Sequence, residues 1–474
     1  MVKQLKQKIS LLIAVTAIVV FALQSVAWAA TGTVLNKIRS SQTADTVRIV
    51  FDVTALPEYT VTTQENPLQL VIDLPGVVNK AAAQYVFNDS TVDKLRLMTG
   101  EAGKLSAVID LKNTYQYKVF TLKNPNRVVV DIIKTDQKLV TNVAPGLTYT
   151  SWRKTTANGP IWAHILDLDS QAGFALKPVL SNGAIQGLET LTPMVEHAAA
   201  LAGVNGSYFG LDGTIIGLLK MDGEIISTPE LPRTALGIMP DGKLFIDQVQ
   251  YEGKVELPDG RTVPINAVNR ERGENELILY NGAYAPSTGS NNYGTEYVAV
   301  NGNITAIRAS NSPIPSDGVV LSAHGAAANL LSCLKVGDIV KIQQTLGTEW
   351  DKTEHVLGAG PMLVKDGSVF LSTKVEQFGS DVAGGRAPRT AIGLKADGHI
   401  LIVVVDGRQD NSIGMSLLEL ALFMQELGAR DAMNLDGGGS SEMVVKGKIV
   451  NHPSDGHERR VGDALVIVSS RVAN

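Results

Sequence analysis

One repeated segment constrains the fold more than any other feature. "PRTALGIMPDGKLFI" (Pro232–Ile246) recurs as "PRTAIGLKADGHILI" (Pro388–Ile402). Each reads as strand, Asp-Gly hairpin turn, strand. Chance convergence on hairpin composition would not preserve Pro-Arg-Thr-Ala, because a hairpin has no need of arginine there. The better reading is a duplicated unit with an arginine at each entry. Arg233 and Arg389 then face one central site, unless one copy has become purely structural.

A second echo lies nearer the N-terminus. "YTVTTQENPLQLVIDL" (Tyr59–Leu74) returns as "YKVFTLKNPNRVVVDI" (Tyr117–Ile132), with Asn-Pro at the turn in both. From Val34 to Ile133 apolar and polar residues alternate, which predicts half-buried strands and a small β-sandwich. Asp52, Asp73, Asp110 and Asp131 each end a strand-like run and read as turn-formers. "KTDQKLVTNVAPG", residues 134–146, reads as a polar linker. The remainder, 147–474, is one large mixed α/β domain containing the hairpin repeat. The fold class expected is therefore α+β, an all-β sandwich followed by the larger mixed domain.

Composition supports a globular chain of 474 residues, 19% charged and 44% hydrophobic. A net charge of −5 argues against nucleic acid as a partner. The first residues carry an address. Lys3, Lys6 and Lys8 precede an apolar stretch, and Ala27-Trp28-Ala29 fits a cleavage site, so 1–29 reads as a signal peptide. The single cysteine, Cys333, excludes an intrachain disulfide and reads as a small core residue. Export without disulfides fits a bacterial envelope, periplasmic, wall-associated or secreted.

The chemistry concentrates after the second hairpin. "HILIVVVDG" is a continuous apolar run ending at Asp406. A helical segment follows, with Leu417, Leu418, Ala421, Leu422 and Gln425 at helical spacing, Ser416 and Glu419 as a capping box and Gly428 as a stop. "DAMNLDGGGSS" then reads as a strand ending at Asp436. Two adjacent parallel strands would bring both aspartates to one sheet edge, where α/β sheets bind ligands. Gly437, Gly438, Gly439, Ser440 and Ser441 would cradle an anion there with backbone amides and hydroxyls.

The N-terminal pattern resembles the AMIN domain, a cell-envelope targeting module; this implies binding of peptidoglycan or another wall polymer. The second domain resembles the phosphodiester glycosidases. The matching segments are "GVNGSYF", both Pro-Arg-Thr-Ala copies, "YNGAYAPSTGSNNYGTEYV", "GAGPMLVKDG", "VVDGRQ", "NLDGGGSSEMV" and "VNHPSDGHERRVGDAL". Arg460 stands where that family usually has proline, and Gly462 where alanine is common. The resemblance implies hydrolysis of the bond between an anomeric carbon and phosphate in N-acetylglucosamine-1-phosphodiester-type glycans. Asp436 or Asp406 would act as nucleophile or base, and Arg389, Arg386 or Arg408 would clamp the diester. Asn205, Tyr208 and Asn434 are candidates for sugar contacts, and Arg233 for substrate binding. Among the histidines, His324 is the best candidate, although a surface or core role suits it better. No cofactor is called for. Zinc has weak support without an HExxH set, and a divalent ion on Asp406 and Asp436 stays open. The rival readings are a non-catalytic envelope protein that binds peptidoglycan or phosphorylated glycans, and a zinc amidase whose ligand set cannot be assembled.

Overall fold

The computed structural model describes residues 32–470 apart from 44–45, 90, 101–102, 113–114, 135 and 157. The signal peptide expected over 1–29 lies outside them. The chain divides into two compact units, one ending at Asp136 and one starting at Gln137.

The first unit is two five-stranded sheets. Alternating residues of both form one core: Ile49, Phe51, Val128 and Val130 from one sheet, Leu70, Ile72, Leu95 and Ile109 from the other. The internal echo is resolved as one hairpin per sheet. Thr60–Glu65 pairs with Leu68–Leu74 in one, and Tyr115–Leu122 with Arg127–Lys134 in the other. The four aspartates expected at turns instead sit within strands and face neighbouring cations. Asp52 bonds Arg39 at 2.7 Å, Asp131 Arg48 at 2.7 Å, Asp110 Arg96 at 2.8 Å and Asp73 Lys104 at 2.7 Å. Strand alternation points them away from the core, where cross-strand pairing is the favourable use of a charge.

The second unit is also dominated by strands, so the fold is largely β rather than an even α+β mixture. Part of the expected linker is itself a strand, Asp136–Ala144, which joins the edge of an eight-stranded sheet beside Leu147–Thr156. Its polar composition suits an edge strand as well as it suits a linker. Cys333 is exposed, not core, and accepts from Arg261 Nη2 at 3.2 Å.

Both Pro-Arg-Thr-Ala segments form the expected antiparallel hairpins, Arg233–Ile238 with Leu244–Val249 and Arg389–Lys395 with His399–Val405. Each hairpin gains a third strand on its first arm. His355–Gly358 pairs with the first copy and Ala429–Asn434 with the second. The helix Leu417–Glu426 carries the capping box, with both the Ser416 and the Glu419 bonds formed. Its buried face is Leu417, Leu420, Ala421, Phe423 and Met424, while Leu418 and Leu422 are exposed. The apolar stripe is thus rotated from the one expected.

The strands ending at Asp406 and Asp436 are not adjacent. Arg389–Lys395 lies between them and is antiparallel to both, so they run parallel one strand apart. That separation divides their environments.

Candidate active site

Asp436 follows the strand Ala429–Asn434 and lines a cavity of about 750 Å³. Its position is fixed from behind. Asn205, buried at the end of Ala202–Asn205, donates Nδ2 to the Asp436 carbonyl at 2.7 Å. The Asn205 oxygen accepts from the Thr390 hydroxyl at 2.8 Å and from Glu442 N–H at 3.2 Å. Asn205 is therefore a brace and not a sugar contact. Burial pushes the Asp436 carboxyl up to about 6, against the opposing Ser440 hydroxyl, the Gly437 amide at 2.8 Å and the charge of Arg459.

A second acid stands behind it that the sequence reading missed. Asp463 is fully buried and accepts from Ser207 N–H at 2.7 Å and Ser207 Oγ at 2.9 Å. Burial, and further the negative charge of Asp436, push it up to about 7 in spite of those bonds. The available signal was an aspartate opening the wholly apolar run "ALVIV", where a charge is costly unless held.

Tyr208 lines the same cavity. Its hydroxyl donates to the Gly360 carbonyl at 2.9 Å and accepts from Asn434 Nδ2 at 2.9 Å. Burial drives its pKa far upward, so it stays a neutral phenol. Asn434 is buried and its Oδ1 has no protein partner.

The arginines sort differently from expectation. Arg233 lines the cavity, lies 4.0 Å above the Phe378 ring and has a buried Nη1 without a hydrogen-bond partner. Arg389 does not line it. Its Nε, Nη1 and Nη2 donate to the carbonyls of Met415, Val382 and Gly385 at 3.0, 3.1 and 3.3 Å. It is a positioning residue for the cavity-lining segment around Val382. Arg386 is engaged with Glu419 at 2.6 Å, and Arg408 is exposed, neither bordering the cavity. Arg459 and Arg460 do border it and add two cations to its wall.

The glycine loop is largely bonded to its own surroundings. Gly437 N–H bonds the Asp436 carboxylate, Gly438 N–H the Pro388 carbonyl at 2.9 Å, and the amides of Ser440 and Ser441 close a tight turn on Gly437 and Gly438. Four of the five amides expected to face an anion thus have protein partners. The glycines serve close packing. A Cβ on Gly439 would stand 2.0 Å from Arg459 Nη2, and Gly438 has a φ of +62°. Ser440 borders the cavity, whereas Ser441 Oγ is buried without a partner.

Asp406 is turned away from this cavity. Its carboxylate meets His164, Asn451 and His452. His324 sits at a short-helix entry, accepting from Asn275 N–H at 3.3 Å, and also lies outside the cavity lining.

Comparison with known proteins agrees with this architecture. Residues 294–468 match the phosphodiester glycosidase family and residues 37–119 the AMIN domain. A region similar to the AMIN domain thus precedes a region similar to the phosphodiester glycosidases. Asp406, Asp436, Arg389 and Asp463 fall within the glycosidase match, while Asn205, Tyr208 and Arg233 precede it. The SPbeta prophage-derived uncharacterized protein YomE of Bacillus subtilis is 48% identical over 81 residues, 17% of this chain and 12% of that protein. The mouse N-acetylglucosamine-1-phosphodiester alpha-N-acetylglucosaminidase is 28% identical over 155 residues, 30% of each chain. This chain therefore spans less than a third of the length of these relatives. The crystal structure of a hypothetical protein from Synechocystis shares the fold, with a TM-score of 0.65 at 23% identity over 92% of this chain and 80% of that one.

Proposed function

We propose that the second unit hydrolyses the sugar–phosphate bond of glycosyl 1-phosphodiesters of the N-acetylglucosamine type. The observation that carries this reading is a carboxyl raised to about 6 in the same cavity as an arginine whose buried nitrogen lacks a partner. Asp436 is mostly ionised at neutral pH and acts as nucleophile, or as base toward water. Arg233, with Arg459 and Arg460, holds the phosphate. Breaking the anomeric C–O bond passes the sugar to water and releases the aglycone as its phosphate monoester, a good leaving group once its charge is met, so the arginines lower the barrier by stabilising charge that grows as the bond breaks. Tyr208, neutral and oriented by Asn434, supplies a hydroxyl at the cavity wall. Asp463 stands behind Asp436, its own carboxyl raised by burial and by the charge of that neighbour.

The test uses UDP-N-acetylglucosamine or an aryl N-acetylglucosamine 1-phosphodiester. Free N-acetylglucosamine is the expected product. Release of N-acetylglucosamine 1-phosphate would overturn the reading, since cleavage would then lie on the other side of phosphorus. Asp436→Asn should lower kcat by at least ~10²-fold. The wild-type rate should rise with pH through about 6, because the ionised form is the active one.

The AMIN unit, in this reading, retains the exported enzyme at the bacterial envelope by binding peptidoglycan or another wall polymer. Cosedimentation of the full chain with purified peptidoglycan is the expected result, and a chain that stays in the supernatant would count against it.

A further inference from the structure

Asp406 is withheld from the cavity because its carboxylate is engaged elsewhere. One oxygen, Oδ1, accepts from Asn451 Nδ2 at 3.2 Å and from His452 N–H at 3.0 Å. The other, Oδ2, faces two imidazoles, His164 Nε2 at 3.2 Å and His452 Nδ1 at 3.3 Å. The potential donor atoms of the three residues all lie within 4.8 Å of one another.

The Tyr149 hydroxyl lies 2.7 Å from His164 Nδ1 and 3.3 Å from the Val450 carbonyl. When the hydroxyl proton serves the carbonyl, His164 carries its proton on Nδ1 and presents the Nε2 lone pair to a carboxylate oxygen. His164 and Asp406 have no exposed side-chain surface. Two acceptors at this range repel in a buried site unless a cation or a second proton lies between them.

We propose that His164, Asp406 and His452 bind a divalent transition-metal ion, with zinc the best match. Bonds of about 2.0–2.2 Å to nitrogen and oxygen give a tetrahedron with edges of about 3.4 Å. The two separations from Oδ2, 3.2 and 3.3 Å, are the edges of such a site. Two imidazoles and one carboxylate suit zinc, whereas magnesium and calcium prefer an all-oxygen shell. The supporting shell is present: the Tyr149 hydroxyl meets the far nitrogen of His164, and Asn451 holds the distal carboxylate oxygen. Access is provided by His452, whose side chain is 53% exposed while its ring packs 4.4 Å from that of Trp162. Three protein ligands leave a fourth corner for water. Asn451 also donates to the Ser441 carbonyl and accepts from Met443 N–H. The ion would therefore anchor the start of the segment that carries Arg459 and Arg460 to the cavity. The inference is independent of the hydrolysis assigned to Asp436.

The full chain, stripped with a chelator and dialysed, is titrated with zinc and, separately, cobalt(II). Saturable binding of one zinc ion per chain is expected, with visible d–d absorption from four-coordinate cobalt and a Tm that rises with added metal. His452→Ala alters a half-exposed ring and should fold; its zinc affinity should fall by at least ~10²-fold. Tyr149→Phe should weaken binding about 10- to 100-fold without abolishing it. Circular dichroism of each variant separates lost binding from lost fold. Absence of saturable binding by the wild type would mean that a proton fills the gap and would overturn the proposal. Equal affinity in wild type and His452→Ala would place the ion elsewhere and overturn it too.

Discussion

The two Pro-Arg-Thr-Ala units share a framework and differ at its ends. Ala235 pairs with Gly358 and Leu236 with Leu357; Ala391 pairs with Asn434 and Ile392 with Met433. Ala359 N–H bonds the Thr234 carbonyl at 3.1 Å, and Leu435 N–H bonds the Thr390 carbonyl at 2.8 Å. In this register Gly360 of the first copy corresponds to Asp436 of the second. The arginines diverge the other way. Arg233 keeps a nitrogen without a partner at the cavity, whereas Arg389 is consumed by three backbone carbonyls. Of the two copies, the candidate site thus takes a cation from one and its carboxyl from the other. A duplicated unit can lose in each half what the other half retains.

The largest effect should come from the first copy. Arg233→Ala should lower kcat/KM by ~10²–10³-fold, the scale for losing one preorganised donor to transition-state charge, with little change in Tm. An active Arg233→Ala enzyme would break the comparison. Arg389→Ala should behave in the opposite sense. It leaves three carbonyls short of a charged donor and should cost about 2–4 kcal/mol of stability, read by urea unfolding. Activity per folded molecule should fall less than in Arg233→Ala, and a larger fall would reverse the roles given to the two arginines.

The smallest effect concerns the acid that only the second copy possesses. Burial raises Asp436 and Asp463 to about 6 and about 7. A carboxyl with a raised folded-state pKa favours the folded state fully below its unfolded value, near 4, and that contribution is lost as pH rises through the folded value. Stability should therefore decline between about pH 4 and 7. In Asp436→Asn the decline should be smaller by up to about 3 kcal/mol, the equivalent of raising the Asp436 carboxyl from near 4 to about 6. Unfolding curves at stepped pH measure it, and an unchanged slope would show that burial does not set the proton affinity of Asp436.

Local patterns were legible in the sequence. Period-two alternation revealed the sandwich strands, Asp-Gly the hairpin turns, and Ser416 with Glu419 the helix start. Asp436 was legible as the residue ending a buried strand. Sheet order was not, because nothing local in "HILIVVVDG" or "DAMNLD" states that Arg389–Lys395 lies between them. That intervening strand is what parts Asp406 from Asp436. The capture of Arg389 by backbone carbonyls was hidden for a similar reason: identical tetrapeptides do not reveal which guanidinium finds carbonyls. The triple glycine was read as ligand-facing because its composition permits that. The partners of its amides, Pro388 and Asp436 among them, come from tertiary packing.

The crowded side of Gly439 bears on how such a chain can drift. A methyl group there would collide with the tip of Arg459, a flexible side chain, and with Asp455 beside it. The backbone could remain where it is while the guanidinium swings out of the cavity. Substitution at a neutral, side-chain-free position would then register as a change in the charge offered to a ligand. Arg459 could instead be lost first, after which position 439 would be free to vary. The two histories are not interchangeable, so the glycine carries a record of the arginine it accommodates.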